Sequence, residues 1–298
     1  MRADPLIASL LDRLRLSFVI QSDKPEETPE TTMRALCFAA AGTPLSVRLA
    51  STKELPVLNQ EARCILTRLV DKRLSGVPLA HITRRQHFMG VEMLAGPEAL
   101  IPRGETEILG REALAIAKSL ADERESVSVL DLCTGSGNIP LGIAANEPRC
   151  RIIGADLSPE AIELAGNNAR HLGLESRVDF RQSDMFGSFE SEEFYGNFDL
   201  LTCNPPYISS AKVGTMNAEI SGHEPRLAFD GGALGVTILT KLIRGASHFL
   251  KPDSFLCFEV GLGQGNALAR MLGNAKVYRN IRTLSDNAGH VRAIVAGI

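Results

Sequence analysis

Tryptophan is absent from the 298 residues, and aromatic side chains make up only 5% of them. Stacking platforms for single-stranded nucleic acid need several exposed rings, so this composition disfavours one. No sign of charge dominates. The net charge is −3, and a chain without a basic stripe has no strong general attraction to nucleic acid. No Cys-x-x-Cys occurs, and the six cysteines (Cys37, Cys64, Cys133, Cys150, Cys203, Cys257) lie far apart without a paired histidine nearby. That spacing argues against a zinc site and against a disulfide scaffold. Several of these cysteines fall in apolar runs, where the thiol behaves as a small hydrophobe, and a reducing, cytoplasmic location is expected. No run reaches the roughly 18 apolar residues of a membrane span. The first twenty residues carry Asp4, Arg13 and Arg15 inside their apolar pattern, so they read as an amphipathic helix rather than a signal peptide. Internal repeats and low-complexity tracts are lacking too.

What is present is the balance of a soluble globular protein, 44% hydrophobic and 22% charged. Leu6, Ile7, Leu10, Leu11, Leu14 and Leu16 recur at helical spacing. Residues 21–32 hold two prolines and read as an exposed connection. Helices are expected over 33–41 and 53–75, which makes 1–80 a small helical module. Residues 85–102, punctuated by Gly90 and Gly96-Pro97, suggest a β-ribbon, so 81–104 reads as a connector. After a helix over 105–121, strands (127–132, 151–157, 178–183, 198–203, 255–260) alternate with helices (139–145, 159–172, 236–250, 264–272). The chain closes with two strands, 277–284 and 290–296, around a hairpin turn at 285–289. Such alternation predicts an α/β domain over 105–298, a mostly parallel sheet covered by helices on both faces.

The most informative residues are Asn204-Pro205-Pro206-Tyr207, directly after the apolar run Phe198–Cys203. A Pro-Pro pair cannot continue a strand, because both backbone donors are missing and φ is fixed. The chain therefore stops at the carboxyl end of a strand, the edge where open α/β sheets bind ligands. There an amide oxygen and a free carbonyl can accept from a substrate –NH2, and the tyrosine ring can cover its flat face.

Asp131, Cys133, Thr134, Gly135, Ser136, Gly137 and Asn138 stand between the first strand of that alternation and its helix. Glycines there permit a sharp turn and close approach of a ligand to backbone and helix N-terminus. Asp156, followed by Leu157, ends the next strand, where a carboxylate can accept both ribose hydroxyls of an adenosine. Ser158, before Pro159, can serve as the helix cap. Asp184 and Met185 end the third strand, suited to an adenine amine and its ring face. NAD competes for such a pocket, but Pro140 stands where the dinucleotide fingerprint needs its third glycine.

Taken together, Leu100-Ile101-Pro102-Arg103-Gly104-Glu105-Thr106-Glu107, Asp131–Gly137, Asp156-Leu157-Ser158, Asn167-Asn168-Ala169, Asn204–Tyr207 and Glu224–Gly232 resemble, in order and spacing, the HemK/PrmC family. These enzymes use S-adenosylmethionine to methylate the glutamine amide of peptide chain release factors. The resemblance covers about residues 76–298. It implies a class I methyltransferase domain, Rossmann-like with a seven-stranded sheet and an antiparallel C-terminal hairpin, behind a small helical N-terminal domain that helps hold the substrate. It further implies that Cys133–Gly137, Asp156, Met185 and Asn204 line the S-adenosylmethionine site, that Arg103 and Glu107 help close it, and that Asn204, Pro205, Pro206 and Tyr207 hold the acceptor. Gly104 departs from a usual Pro, Cys133 from a usual Gly and Met185 from a usual aromatic residue. Residues 1–75 match in helical character only.

Other acceptors suit the same motif. A paralogue in small-molecule metabolism could use S-adenosylmethionine as its own substrate, cyclising it to azetidine-2-carboxylate with release of methylthioadenosine. An adenine amino-methyltransferase is the third reading, lowered by the acidic net charge. His223 and Glu224 can be read as an acid/base pair or as part of a loop packed beside the acceptor. No histidine shows metal-ligand spacing.

Overall fold

The computed structural model describes residues 4–17, 21, 23–214 and 222–298. Seven strands form one sheet: β3 (Val127–Leu132), β4 (Cys150–Asp156), β5 (Val178–Gln182), β6 (Phe198–Cys203), β7 (Leu250–Glu259), β8 (Arg279–Ser285) and β9 (Val291–Gly297). Their order is β5-β4-β3-β6-β7-β9-β8. The first five are parallel to one another, and β9 runs antiparallel to both β7 and β8. The chain leaves β3 toward β4 on one side and later returns to place β6 on the other. The sheet thus has its switch point at the carboxyl ends of β3 and β6, where a crevice opens.

Both sheet faces are covered because the strands are apolar on both sides. All six residues of β6 are buried. Val129, Ile152, Val178, Leu200 and Val295 face α6 (Thr106–Glu123), α7 (Asn138–Asn146) and α8 (Pro159–Leu172). Leu130, Leu201, Phe258 and Ile294 face the other way, against α10 (Thr237–Gly245) and α11 (Gly265–Asn274). A single-turn helix, α9 (Ser210–Val213), follows the Asn204–Tyr207 segment. Ser158 caps α8 by accepting from Ala161 N–H at 3.1 Å, and Gly173 ends it in the left-handed region.

Ahead of this sheet lie α1 (Pro5–Ser17), α2 (Pro29–Ala40), α3 (Val47–Thr52), α4 (Gln60–Leu74) and α5 (Leu79–Thr83), then an antiparallel pair, β1 (Arg85–Phe88) and β2 (Val91–Leu94). The helices pack around a core of their own that includes Leu14, Met33, Leu36, Leu66 and Val70. Of the first twenty residues read as a helix, 1–3 and 18–20 lie outside the described residues.

Several sequence expectations change here. Residues 53–75 do not make one helix. Pro56 and Asn59 interrupt the pattern, α3 ends at Thr52, and Asn59 restarts the chain as α4 by accepting from Ala62 N–H at 2.8 Å. Residues 21–32 are not simply an exposed connection. Thr28 and Thr31 cap α2 reciprocally, and Lys24 and Glu27 are buried. The β-ribbon stops at Leu94, and 95–105 continues as an irregular segment. The helix expected over 236–250 ends at Gly245, since Leu250 already pairs with Phe198 in the sheet.

Candidate functional site

A cavity of about 430 Å³ opens at the switch point, within the range of small-ligand pockets. One wall is the loop after β3. Thr134 N–H donates to Ala155 O at 2.9 Å, which ties that loop to β4, and Gly135 N–H donates to Asp156 Oδ2 at 2.9 Å. Gly135 has φ +54° and Gly137 φ +79°, backbone that glycine adopts without penalty. Cys133 (φ +56°) and Met185 (φ +52°) take the same left-handed conformation without being glycine. Such strain tends to concentrate at ligand sites. Their sulfur atoms lie 3.8 Å apart in the cavity wall.

Asp156 lines the cavity from the end of β4. Besides Gly135, it accepts from Ser158 N–H at 3.0 Å. A carboxylate has about four lone-pair sites, so acceptor capacity remains for a ligand. Burial pushes its pKa up, against the backbone N–H groups that lower it. Leu157, Asn138, Met185 and the exposed Asp184 complete this side.

The acceptor side is built on the end of β6. Asn204 lines the cavity, and its Nδ2 donates to Thr106 Oγ1 at 3.3 Å. Among the described residues nothing donates to Asn204 Oδ1 or to the Pro205 carbonyl. Pro206 lines the cavity while Pro205 is buried beside it. The 224–235 segment clasps this strand end. Ile208 N–H donates to Phe229 O and Gly231 N–H to Ile208 O. A Cβ on Gly231 would lie 2.5 Å from Pro206 O, and one on Gly235 2.2 Å from Tyr207 O. Only glycine permits that approach.

Not every residue singled out above reaches the cavity. Arg103 does, pairing with buried Glu224 and lying 3.5 Å from Asp23 of the helical region. Glu224 also accepts from Ile101 N–H at 2.9 Å, so it anchors its loop rather than pairing with His223. Glu107 turns away, accepting from Met89 N–H and from Arg111. Asp131, Ser136 and Gly137 stand behind the loop. Asp131 accepts from Thr202 Oγ1 at 2.5 Å, and burial pushes its carboxyl up to about 7. Ser136 O accepts from the buried Asn168 amide, which also holds both backbone groups of Leu94. Tyr207 is absent from the lining because its hydroxyl donates to Glu259 Oε1 at 2.9 Å. Sequence reasoning missed Thr106 and Glu259. The available signal for Glu259 is an acidic residue closing the apolar run Phe255–Val260.

A seven-stranded sheet with this switch point, an acidic residue ending its second parallel strand and a cavity between them define a Rossmann-like methyltransferase. The family model for the methyltransferase domain matches residues 123–291. The solved structure of human methyltransferase 10 domain containing protein shares the fold, with a TM-score of 0.52 at 16% identity over 70% of this chain and 88% of that one. Closer relatives narrow the class. The release factor glutamine methyltransferase of Moorella thermoacetica is 37% identical over 76% of this chain and 77% of its own. That of Bradyrhizobium diazoefficiens is 31% identical over 99% of this chain and 97% of its own, the helical region included. The chain belongs to the release factor glutamine methyltransferase family. Among the described residues no helix is long and apolar enough to cross a membrane, and no cluster of ligating side chains could hold a metal ion.

Proposed function

We infer that this protein transfers a methyl group from S-adenosylmethionine to the side-chain amide nitrogen of a glutamine in a peptide chain release factor. The observation that carries the reading is the pair of acceptors at the end of β6, Asn204 Oδ1 and the Pro205 carbonyl, neither bonded to a donor among the described residues. A carboxamide –NH2 presents two N–H groups and calls for two acceptors. The names of the relatives supply the substrate.

The cavity residues suit the co-substrate. Asp156 keeps lone pairs for ribose hydroxyls, Gly135 lets backbone approach closely, and Leu157 and Met185 offer apolar walls to an adenine with Asp184 at the rim. Cys133, Thr134, Asn138 and Arg103 complete the holding set, while Asp131, Ser136, Gly137 and Glu107 act one layer back. When bound, S-adenosylmethionine supplies an electrophilic sulfonium methyl carbon.

An amide nitrogen is a weak nucleophile because its lone pair is delocalised. Asn204 and Pro205 polarise it by accepting hydrogen bonds from its two N–H groups and hold its lone pair in line, where orientation lowers the barrier. They also meet the positive charge that develops on that nitrogen, as preorganised dipoles do. No strong base is required, since the N-methylated amide sheds its extra proton readily. Tyr207 contributes by bracing the strand end through Glu259, and Pro206 by shaping the wall. The helical region 1–80, joined to the site through Asp23 and Arg103, is assigned to the protein substrate. Cyclisation to azetidine-2-carboxylate and adenine methylation use the same acceptors, but the family relationship favours neither. Incubation with S-adenosylmethionine and a release factor tests the reading: one methyl on the factor's glutamine is expected, and an unmodified factor overturns it.

A further inference from the structure

Two exposed leucines stand beside the acceptor end, and neither the fold nor methyl transfer as read above uses them. Leu234 is 77% exposed and Leu262 62% exposed. Both sit in tight turns. Gly235 N–H donates to Gly232 O at 3.2 Å around Ala233 and Leu234, and Gln264 N–H donates to Gly261 O at 3.0 Å around Leu262 and Gly263. Gly263 has φ +82°, which suits a type II turn with Leu262 at its first corner. Turn corners favour glycine, proline, asparagine and aspartate for local reasons. Leucine brings no such benefit, and at this exposure it buries little apolar surface for the fold.

The two turns are fastened to one another and to the acceptor segment. Gln264 donates from Nε2 to Gly235 O and to Tyr207 O, each at 3.1 Å, and its Oε1 accepts from Gly261 N–H at 2.9 Å. A Cβ on Gly261 would fall 3.0 Å from the Tyr207 ring, so this turn also lies against Tyr207. Single exposed apolar side chains are ordinary, but grouped ones beside a cavity mark interaction surfaces. Tyr207 stands three residues from Asn204, a span of at most about 10 Å. Leu227, in the cavity wall and 47% exposed, belongs to the same 224–235 segment as Leu234. A small acceptor would fill the cavity and leave Leu234 and Leu262 in water. A glutamine held in a polypeptide brings chain neighbours with it, and those neighbours reach the rim.

We propose that Leu234 and Leu262 form an apolar docking rim for the release-factor segment that carries the acceptor glutamine, engaging apolar side chains near that glutamine. The proposal rests on the release factor being the substrate. Its test compares the full chain with Leu234→Ser/Leu262→Ser and with Leu234→Met/Leu262→Met, which stays apolar. In the serine pair the KM for the release factor should rise about thirtyfold, as for two leucines that lose partial burial, with kcat and S-adenosylmethionine affinity within about twofold of wild type. Calorimetric binding of the factor in the presence of S-adenosylhomocysteine should weaken by the same factor. The methionine pair should keep KM within about threefold of wild type. Val277, 38% exposed at the amino-terminal edge of the sheet, is the control, and Val277→Ser should leave KM unchanged. Should the serine pair not fold, either serine substitution alone should raise KM about fivefold. A wild-type KM in the serine variants overturns the proposal, as does an equal rise in Val277→Ser. A wild-type protein that leaves the release factor unmethylated refutes the substrate reading and the proposal with it, whereas methylation with unchanged KM in the serine variants refutes the docking rim alone.

Discussion

Replacing Asn204 by alanine removes the acceptor and little else. The residue follows a fully buried strand and precedes Pro205, so the backbone is held from both sides. Among the described residues its amide makes one hydrogen bond, to Thr106, and a neutral bond contributes about 0.5–1.5 kcal/mol to stability. Global unfolding should therefore shift by no more than about 1.5 kcal/mol. The reaction should suffer far more. Loss of one preorganised partner at a centre of developing charge raises a barrier by roughly 2–4 kcal/mol, about 30- to 900-fold in rate. Single-turnover transfer at saturating S-adenosylmethionine, read by mass spectrometry of the release factor, isolates that step. Calorimetry on the same preparation should show S-adenosylmethionine binding weakened by less than about tenfold, the share of one neutral contact. A transfer rate within about threefold of wild type, too small for any lost aligned acceptor, would refute the role given to Asn204.

Three further outcomes follow from the same geometry. Asp156→Ala should weaken S-adenosylmethionine binding by about 1.5–3 kcal/mol, the worth of hydrogen bonds to a charged group; calorimetry showing unchanged affinity would remove Asp156 from the site. Gly154→Ala places a methyl 2.6 Å from the Phe180 ring and 2.8 Å from Thr134 Oγ1, so overpacking of about 1–3 kcal/mol should lower the urea midpoint, and an unaltered midpoint would contradict it. The Asp131 carboxyl, raised by burial from 3.8 to about 7, binds its proton more tightly folded than unfolded. Its contribution to stability therefore falls as pH rises through that window and stays lost above it. Between pH 4 and pH 8 the wild type should lose on the order of 2–4 kcal/mol that Asp131→Asn does not lose; parallel pH profiles of unfolding would exclude this.

The alternation of strands and helices from Val127 onward was legible because each element carries its own apolar period and its own stop. The Ser158-Pro159 cap and the Pro205-Pro206 break are local signals, and they fall where the structure ends or begins an element. Asp156 and Asn204 were legible for the same reason, as polar residues closing apolar runs. Thr106 was not. Its partner Asn204 lies 98 residues away, and nothing in its sequence neighbourhood announces that contact. The direction of the Tyr207 ring likewise depends on Glu259, 52 residues on. In the helical region, short helices broken by Pro56 and Asn59 gave a blurred period, and the burial of Lys24 and Glu27 depends on tertiary packing that composition does not encode.

Mass spectrometry of the purified protein incubated with S-adenosylmethionine, with and without a release factor, tests the central claim most directly. S-adenosylhomocysteine that appears only when the factor is present, with one added methyl on a glutamine of the factor, is the predicted result. Methylthioadenosine formed from S-adenosylmethionine alone, with the factor unmodified, would contradict it.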